Sequence, residues 1–247
     1  MRYFVELSYN GKNYYGWQIQ PDVISVQEVL EIKLSTFFRD QIKIVGAGRT
    51  DAGVHAKQMY AHFDFEGEVD LTPKTIFKLN SFLPKDISVY KLHSVPKDAH
   101  ARFDATERGY EYDISLQKNP FLEGLMHELH LIPDVDLMNK AALMLLGNKD
   151  FQCFSKSHTD VKTYYCNVKE AVWEQKGDFL KFKISADRFL RNMVRAIVGT
   201  LLDVGYGKVA VEDIPSLIES KDRTKAGASA PAHGLYLTKV LYPKNIL

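Results

Sequence analysis

The chain has 247 residues, is 45% hydrophobic and 26% charged, and carries a net charge of +1 at neutral pH. This is an ordinary soluble globular composition, long enough for one large domain or two small ones with a sizeable core. No apolar run nears the ~20 residues of a membrane span, which excludes a helical membrane protein. The start, "MRYFVELSYNG", alternates like a strand and does not read as a signal peptide. Cys153 and Cys166 are the only cysteines and form no CxxC pair, which fits a reducing compartment. A cytoplasmic protein is expected. With charges so nearly balanced, any phosphate-binding surface must be local.

Residues 3 to 8 read as a strand with Tyr3, Val5 and Leu7 on one face. "SVQEVLEIKLSTFF" carries a capping box, Ser25 followed three residues later by Glu28, with Val26, Val29, Leu30, Leu34 and Phe37 at helical spacing. Strands are expected over 41–45 and 58–65, a helix from Thr72 as N-cap with Pro73 at its first position, and a strand over 87–92. That order is β-α-β-β-α-β, the ferredoxin-like split arrangement. Beyond it, "GYEYDISL" alternates as a strand, and "DLMNKAALMLLG" predicts a helix capped by Asp136 and stopped at Gly147. Strands over 168–175 and 179–185 meet at Gly177-Asp178; a helix "RFLRNMVRAIVGTLLDV", a short helix near 213–219 and a final strand follow. The expectation is an α+β protein of two pseudo-duplicated RNP/ferredoxin-like halves, 1–103 and 104–247, with mainly antiparallel sheets and a cleft between them.

The stretch "GAGRTDAGVHAKQM", residues 46 to 59, holds three glycines, an arginine, an aspartate and a histidine. A dinucleotide fingerprint wants its third glycine where Asp51 stands, and a P-loop wants Lys-Ser/Thr where Val54 and His55 stand, so both phosphate readings fail on residue type. A turn between two strands remains, with Gly48 and Gly53 allowing unusual backbone angles on either side of "RTDA". Such a turn presents Arg49 and Asp51 outward, or else Asp51 merely bonds its own turn. His55, His62 and His100 show no metal-ligand spacing, so no metal is expected; structural or RNA contacts suit them better.

"GRTDAGVHA" closely resembles the signature of the TruA family of tRNA pseudouridine synthases, and the likeness runs along nearly the whole chain. It includes "YNGKNYYGWQIQP", "SVQEVLE", "NSFLPKDISV", "HARFDATERGYEY", "FLRNMVRAIVGTLLDVG" and "KDRTKAGASAPAHGLYL". The resemblance implies isomerisation of uridine to pseudouridine at positions 38, 39 and 40 of the tRNA anticodon stem–loop, by a cofactor-free homodimer. It places the catalytic aspartate on Asp51, acting as nucleophile, and the active-site tyrosine, a platform for the extruded uracil, on Tyr110.

An ionised aspartate in a dry cleft needs a cationic neighbour. Arg49 is one source. The other is the expected helix, in which Arg188, Arg191 and Arg195 fall within about 60° of one another at 100° per residue; taken alone, such a stripe is more often a solvated face. The family position selects Arg191, with Arg195 as substitute. His55, Arg49 and Arg195 join Tyr110 as candidate substrate-binding residues. Arg102, Arg108, Lys118, Lys156, Lys162, Arg188, Lys221, Arg223 and Lys225 are candidates for phosphate contacts. The rival reading is a non-catalytic RNA-binding protein with RRM-like halves, but the RNP1 pattern is absent.

Overall fold

A computed structural model describes residues 1–156 and 161–247. The chain is α+β with mostly antiparallel strands, and it divides into two compact units: Met1–Glu107 with Leu237–Leu247, and Arg108–Tyr236. The C-terminal segment from Leu237, which the sequence division leaves with the second half, therefore packs with the first. Among the described residues no helix is long and apolar enough to cross a membrane.

The first unit contains β1 (Arg2–Tyr9), α1 (Val26–Phe38), β2 (Ile44–Gly46), β3 (His55–Asp64), α2 (Pro73–Phe82) and β4 (Ile87–Val95). Strand β1 is central, antiparallel to both β4 and β3, and β2 pairs with β3 on its other edge. The strands form because alternate residues find alternate environments: Tyr3, Val5 and Leu7 are buried on one face, as expected, and Tyr9 continues it. Phe4 is buried on the opposite face, edge-on to the ring of Tyr242 at 5.3 Å.

Helix α1 starts where the capping box puts it, with Ser25 Oγ accepting the Glu28 N–H at 3.2 Å. Val26, Leu30 and Leu34 are fully buried, each worth about 1.5–3 kcal/mol of transfer free energy. At α2, Thr72 occupies the N-cap and Pro73 the first turn, although the Thr72 side chain makes no capping bond.

One buried charge ties α1 to the strand that leads into the glycine-rich turn. Glu31 is 6% exposed. Its Oε1 accepts the Ile44 N–H and a Gln27 side-chain N–H, both at 3.1 Å, while Oε2 takes Lys43 Nζ at 2.8 Å. Gln27 Nε2 also donates to the Ile44 carbonyl at 3.1 Å. Both backbone groups of Ile44 are thus satisfied by helix side chains, which fixes where β2 begins.

The second unit holds β5 (Glu107–Ser115), β6 (His127–Glu128), α3 (Val135–Leu143), β7 (Gly147–Asp150), β8 (Tyr165–Lys176), β9 (Phe179–Ala186), α4 (Met193–Gly205) and α5 (Asp213–Ser220). Its antiparallel strands run in the order β5-β9-β8-β7, with β6 parallel to β5. The last strand, β10 (Leu235–Leu241), crosses the division between the units. In the first unit β10 lies beside β3, where the Val240 N–H donates to Gln58 Oε1 at 3.0 Å.

Three local expectations need correction. Asp134 caps α3, accepting the Leu137 N–H at 3.0 Å; Asp136 sits inside the first turn. Gly147 does not stop that helix, which ends at Leu143; with φ +93° it opens the unforeseen strand β7. Helix α4 begins only at Met193, because Asn192 is left-handed at φ +66° and its Nδ2 donates to Ser229 Oγ at 2.6 Å. Asparagine tolerates that conformation better than most residues, so "RFLRN" precedes the helix. The helical stripe of three arginines does not exist: only Arg195 lies on α4.

Replacing Glu31 by Ala strands the buried Ile44 N–H, so it is expected to cost about 1–3 kcal/mol. Lys43→Ala removes only the exposed partner and should cost less than about 1 kcal/mol; urea denaturation of both variants checks the order. His62 on β3 is 6% exposed and its Nδ1 accepts the Ala101 N–H at 3.1 Å. Burial first, then the neighbouring Arg2 and His100 charges, push it down from 6.5 to about 4. The unfolded chain takes up this proton first, so the stabilisation is intact above about pH 6.5 and is lost as the pH falls towards 4. His62→Asn, which retains an acceptor, should flatten the slope of stability between those limits.

Candidate active site

The "GRTDAG" turn spans residues 47 to 54, between β2 and β3. The first side of the hairpin is set by Gly46: a Cβ there would lie 2.5 Å from the indole of Trp17, which is buried at 3% exposure. The Ala47 N–H donates to the Tyr60 carbonyl at 2.7 Å, which closes the neck. At the far side Gly53 is left-handed at φ +77°. Gly48 differs from the expectation. Its φ is not in the left-handed region and a Cβ would meet nothing within 4 Å, so the backbone makes no demand for glycine there.

What holds the turn is the segment running on from the end of β1, residues 9 to 17, laid against it and tied through both backbone and side chains. The Trp17 N–H donates to the Thr50 carbonyl at 3.1 Å, and the Tyr9 hydroxyl bonds Thr50 Oγ1 at 2.8 Å in a buried position. On the other side of Asp51, the Gly53 N–H donates to the Tyr14 carbonyl at 3.2 Å, and the Gly11 N–H donates to His55 Nδ1 at 2.9 Å. Two glycines make this approach possible. A Cβ on Gly11 would sit 2.0 Å from the Val54 carbonyl oxygen, and one on Gly16 would sit 2.5 Å from that of Thr50, where φ is also +90°. Tyr14 is itself anchored through its hydroxyl to Asp86 Oδ1 at 2.6 Å.

Asp51 therefore sits on a turn tied down on both flanks. Its own carbonyl accepts the Val54 N–H at 3.1 Å, and its side chain is half-buried. Arg49 is exposed. His55 is 1% exposed, so it belongs to the interior of the first unit. The chemistry open to such a turn is that of a carboxylate on a backbone hydrogen-bonded on both flanks.

The remaining candidates lie in the second unit. Tyr110 on β5 pairs with Ile184 of β9 and is half-buried, its ring edge-on to Phe189 at 5.2 Å. Tyr112, two residues along, is fully buried and donates to the Pro231 carbonyl at 2.9 Å, a structural tyrosine by contrast. Arg191 is exposed in the turn before α4, and its carbonyl accepts the Lys156 N–H at 3.0 Å. Arg195 is half-buried and donates from Nε to the Ala230 carbonyl at 2.7 Å.

Several basic candidates for phosphate contacts are engaged within the second unit. Arg223 donates to the carbonyls of Ala226 and Gly227 and to Ser229 Oγ, Arg108 to the carbonyl of Asp187, and Lys221 pairs with Asp150 at 3.0 Å. Among the described residues no cluster of three or more His, Cys, Asp or Glu is placed to hold a metal ion.

Sequence reasoning gave no role to Tyr9, Gly11, Gly16 or Trp17. The segment entered only as the family motif "YNGKNYYGWQIQP", whose pair of glycines interleaved with aromatics has no period and so no assigned element.

The profile of the family described as tRNA pseudouridine synthase matches residues 7–104 and 141–243. A Bacteroides fragilis protein named tRNA pseudouridine synthase A is 54% identical, covering 99% of this chain and 98% of its own length. A Bacillus licheniformis protein of the same name is 41% identical, covering 98% and 99% respectively. Among solved structures, a chain of a Cbf5-Nop10-Gar1 complex aligns with a TM-score of 0.35 and 11% identity, over 95% of this chain and 57% of its own, too slight a likeness to bear on function. The family match and these relatives define the class, an α+β isomerase. The chain belongs to the TruA family of tRNA pseudouridine synthases.

Gly16→Ala forces a strained backbone and a collision with the Thr50 carbonyl and is expected to cost upwards of about 2 kcal/mol. Gly48→Ala enters open space and should stay within about 1 kcal/mol of wild type. Equal midpoints for the two in urea would contradict this account of the turn.

Proposed function

We propose that this enzyme converts uridine to pseudouridine in the anticodon stem–loop of tRNA, at positions 38, 39 and 40, with Asp51 as nucleophile. The observation that carries the reading is the turn itself: residues 50 and 53–55 are pinned to residues 9–17 while the Asp51 side chain between them stays half-exposed.

The reaction breaks the bond from ribose C1′ to uracil N1 and makes one from C1′ to C5. C5 loses a proton and N1 gains one. Atoms and electrons balance within the substrate, so no redox partner or metal is required. An ionised carboxylate can open the sequence by attacking C1′ or C6, and once released it can accept the C5 proton. Because the base must turn before it is rejoined, it has to leave its stack, and an aromatic ring that receives it lowers the cost of extrusion. Tyr110 is assigned that part.

Arg191 is assigned the part of the catalytic cation, with Arg49 and Arg195 as further contacts to the substrate. Reaching three successive positions requires recognition by shape and backbone rather than by base edges. The same reading takes the two units as RNP-like duplicates and the working enzyme as a cytoplasmic homodimer.

Tritium release from C5-labelled uridine in unmodified tRNA tests the proposal. Wild type should release label from the anticodon arm, and Asp51→Ala should release none while binding tRNA within about tenfold of wild type, since phosphate contacts supply most of the affinity. Binding without any release by wild type would leave an RNA-binding protein instead. Arg191→Ala should slow release by roughly two orders of magnitude or more; a near-normal rate would move the cation's part to Arg49 or Arg195.

A further inference from the structure

The reading above gives Asp51 its chemistry but leaves His55, a buried side chain at the end of the turn, with none. At 1% exposure it is out of reach of an RNA. Its Nδ1 accepts the Gly11 N–H at 2.9 Å. An imidazole nitrogen that accepts carries no proton, so the ring is in its neutral form there. At Gly11 there is no room even for a methyl group against the Val54 carbonyl.

Asp51 is held from both sides. Tyr9 and Trp17 hold Thr50 before it; Tyr14 holds Gly53, and Gly11 holds His55, after it. Of these ties His55 alone is a side-chain acceptor for a backbone N–H across the interface of the two segments. Losing it leaves a buried N–H without that partner and lets residues 53–55 part from residues 11–14. A nucleophile must lie close to its carbon in the right direction, and a shift of about 1 Å can cost ~10²-fold in rate.

We propose that His55 is a positioning residue: it never touches the uridine, and it sets the rate by holding the C-terminal flank of the Asp51 turn against Gly11. This rests on the function proposed for Asp51, and it replaces the substrate contact expected for His55 from the sequence.

Two amide substitutions separate the proposal from a general need for a polar core residue. His55→Asn places an amide oxygen near the position of Nδ1. His55→Gln is equally polar but carries its oxygen beyond that position. In single-turnover reactions at saturating unmodified tRNA, His55→Asn is expected within about tenfold of wild type, and His55→Gln and His55→Leu about a hundredfold slower. Kd for tRNA should stay within about threefold throughout. Equal rates for Asn and Gln would overturn the proposal, even if His55→Leu does not fold. So would a wild-type rate in His55→Leu, or a loss of tRNA affinity in step with the loss of rate, which would make His55 a substrate contact. Wild-type protein that releases no tritium would instead bring down the reading of Asp51 and this inference with it.

Discussion

The close approach of two stretches of backbone, residues 9 to 17 and residues 47 to 55, is the constraint on which the arrangement of the first unit depends. Backbone can meet backbone only where no side chain intervenes, so Gly11 and Gly16 are required by space rather than by flexibility alone. Each approach is secured by a hydrogen bond whose donor or acceptor is buried, and a buried polar group resists separation because leaving it unpaired costs more than making it ever gained. The aspartate between those ties inherits their rigidity.

The rest of the first unit is arranged to deliver the turn at a defined place. Helix α1 is held by its apolar side, but its register against β2 is set by Gln27 and Glu31, which satisfy both backbone groups of Ile44. Strand β3 begins at His55 and is paired on one edge with β1 and on the other with β2. A polar network used in this way specifies one arrangement where an apolar contact would allow several neighbouring ones. The turn is therefore the meeting point of two strands and a strap, each independently fixed.

The second unit shows how weakly a count of basic residues bears on binding. Arg223 and Arg108 donate to carbonyls of their own unit, and Arg195 braces the segment at Ala230 against α4. That segment crosses the helix at glycines, since a Cβ on Gly199 would overlap the Ala228 carbonyl oxygen. An arginine side chain with five donors is well suited to tying such a loop down. Periodicity could not anticipate this, because it assumed a helix that continued through Asn192.

Much was legible from the chain alone. The order of strands and helices in the first unit, the capping box of α1, the α+β class and the turn that carries Asp51 follow from local rules: alternation, helical spacing and glycine placement act over a few residues and leave a mark in the sequence. Family membership was legible for another reason, as an ordered set of motifs spread over the whole length. The misjudged elements have separate causes: either Asp134 or Asp136 could cap α3 and the local bond to the Leu137 N–H falls to Asp134, the strand at Gly147 exists because β8 pairs with it, and the start of α4 is set at Asn192, whose side chain reaches Ser229. The strap around the turn, the burial of His55 and the tie from Arg195 to the Ala230 carbonyl belong to tertiary structure alone. They depend on which backbone groups lie within about 3 Å of one another across tens of residues, and no local pattern encodes that distance.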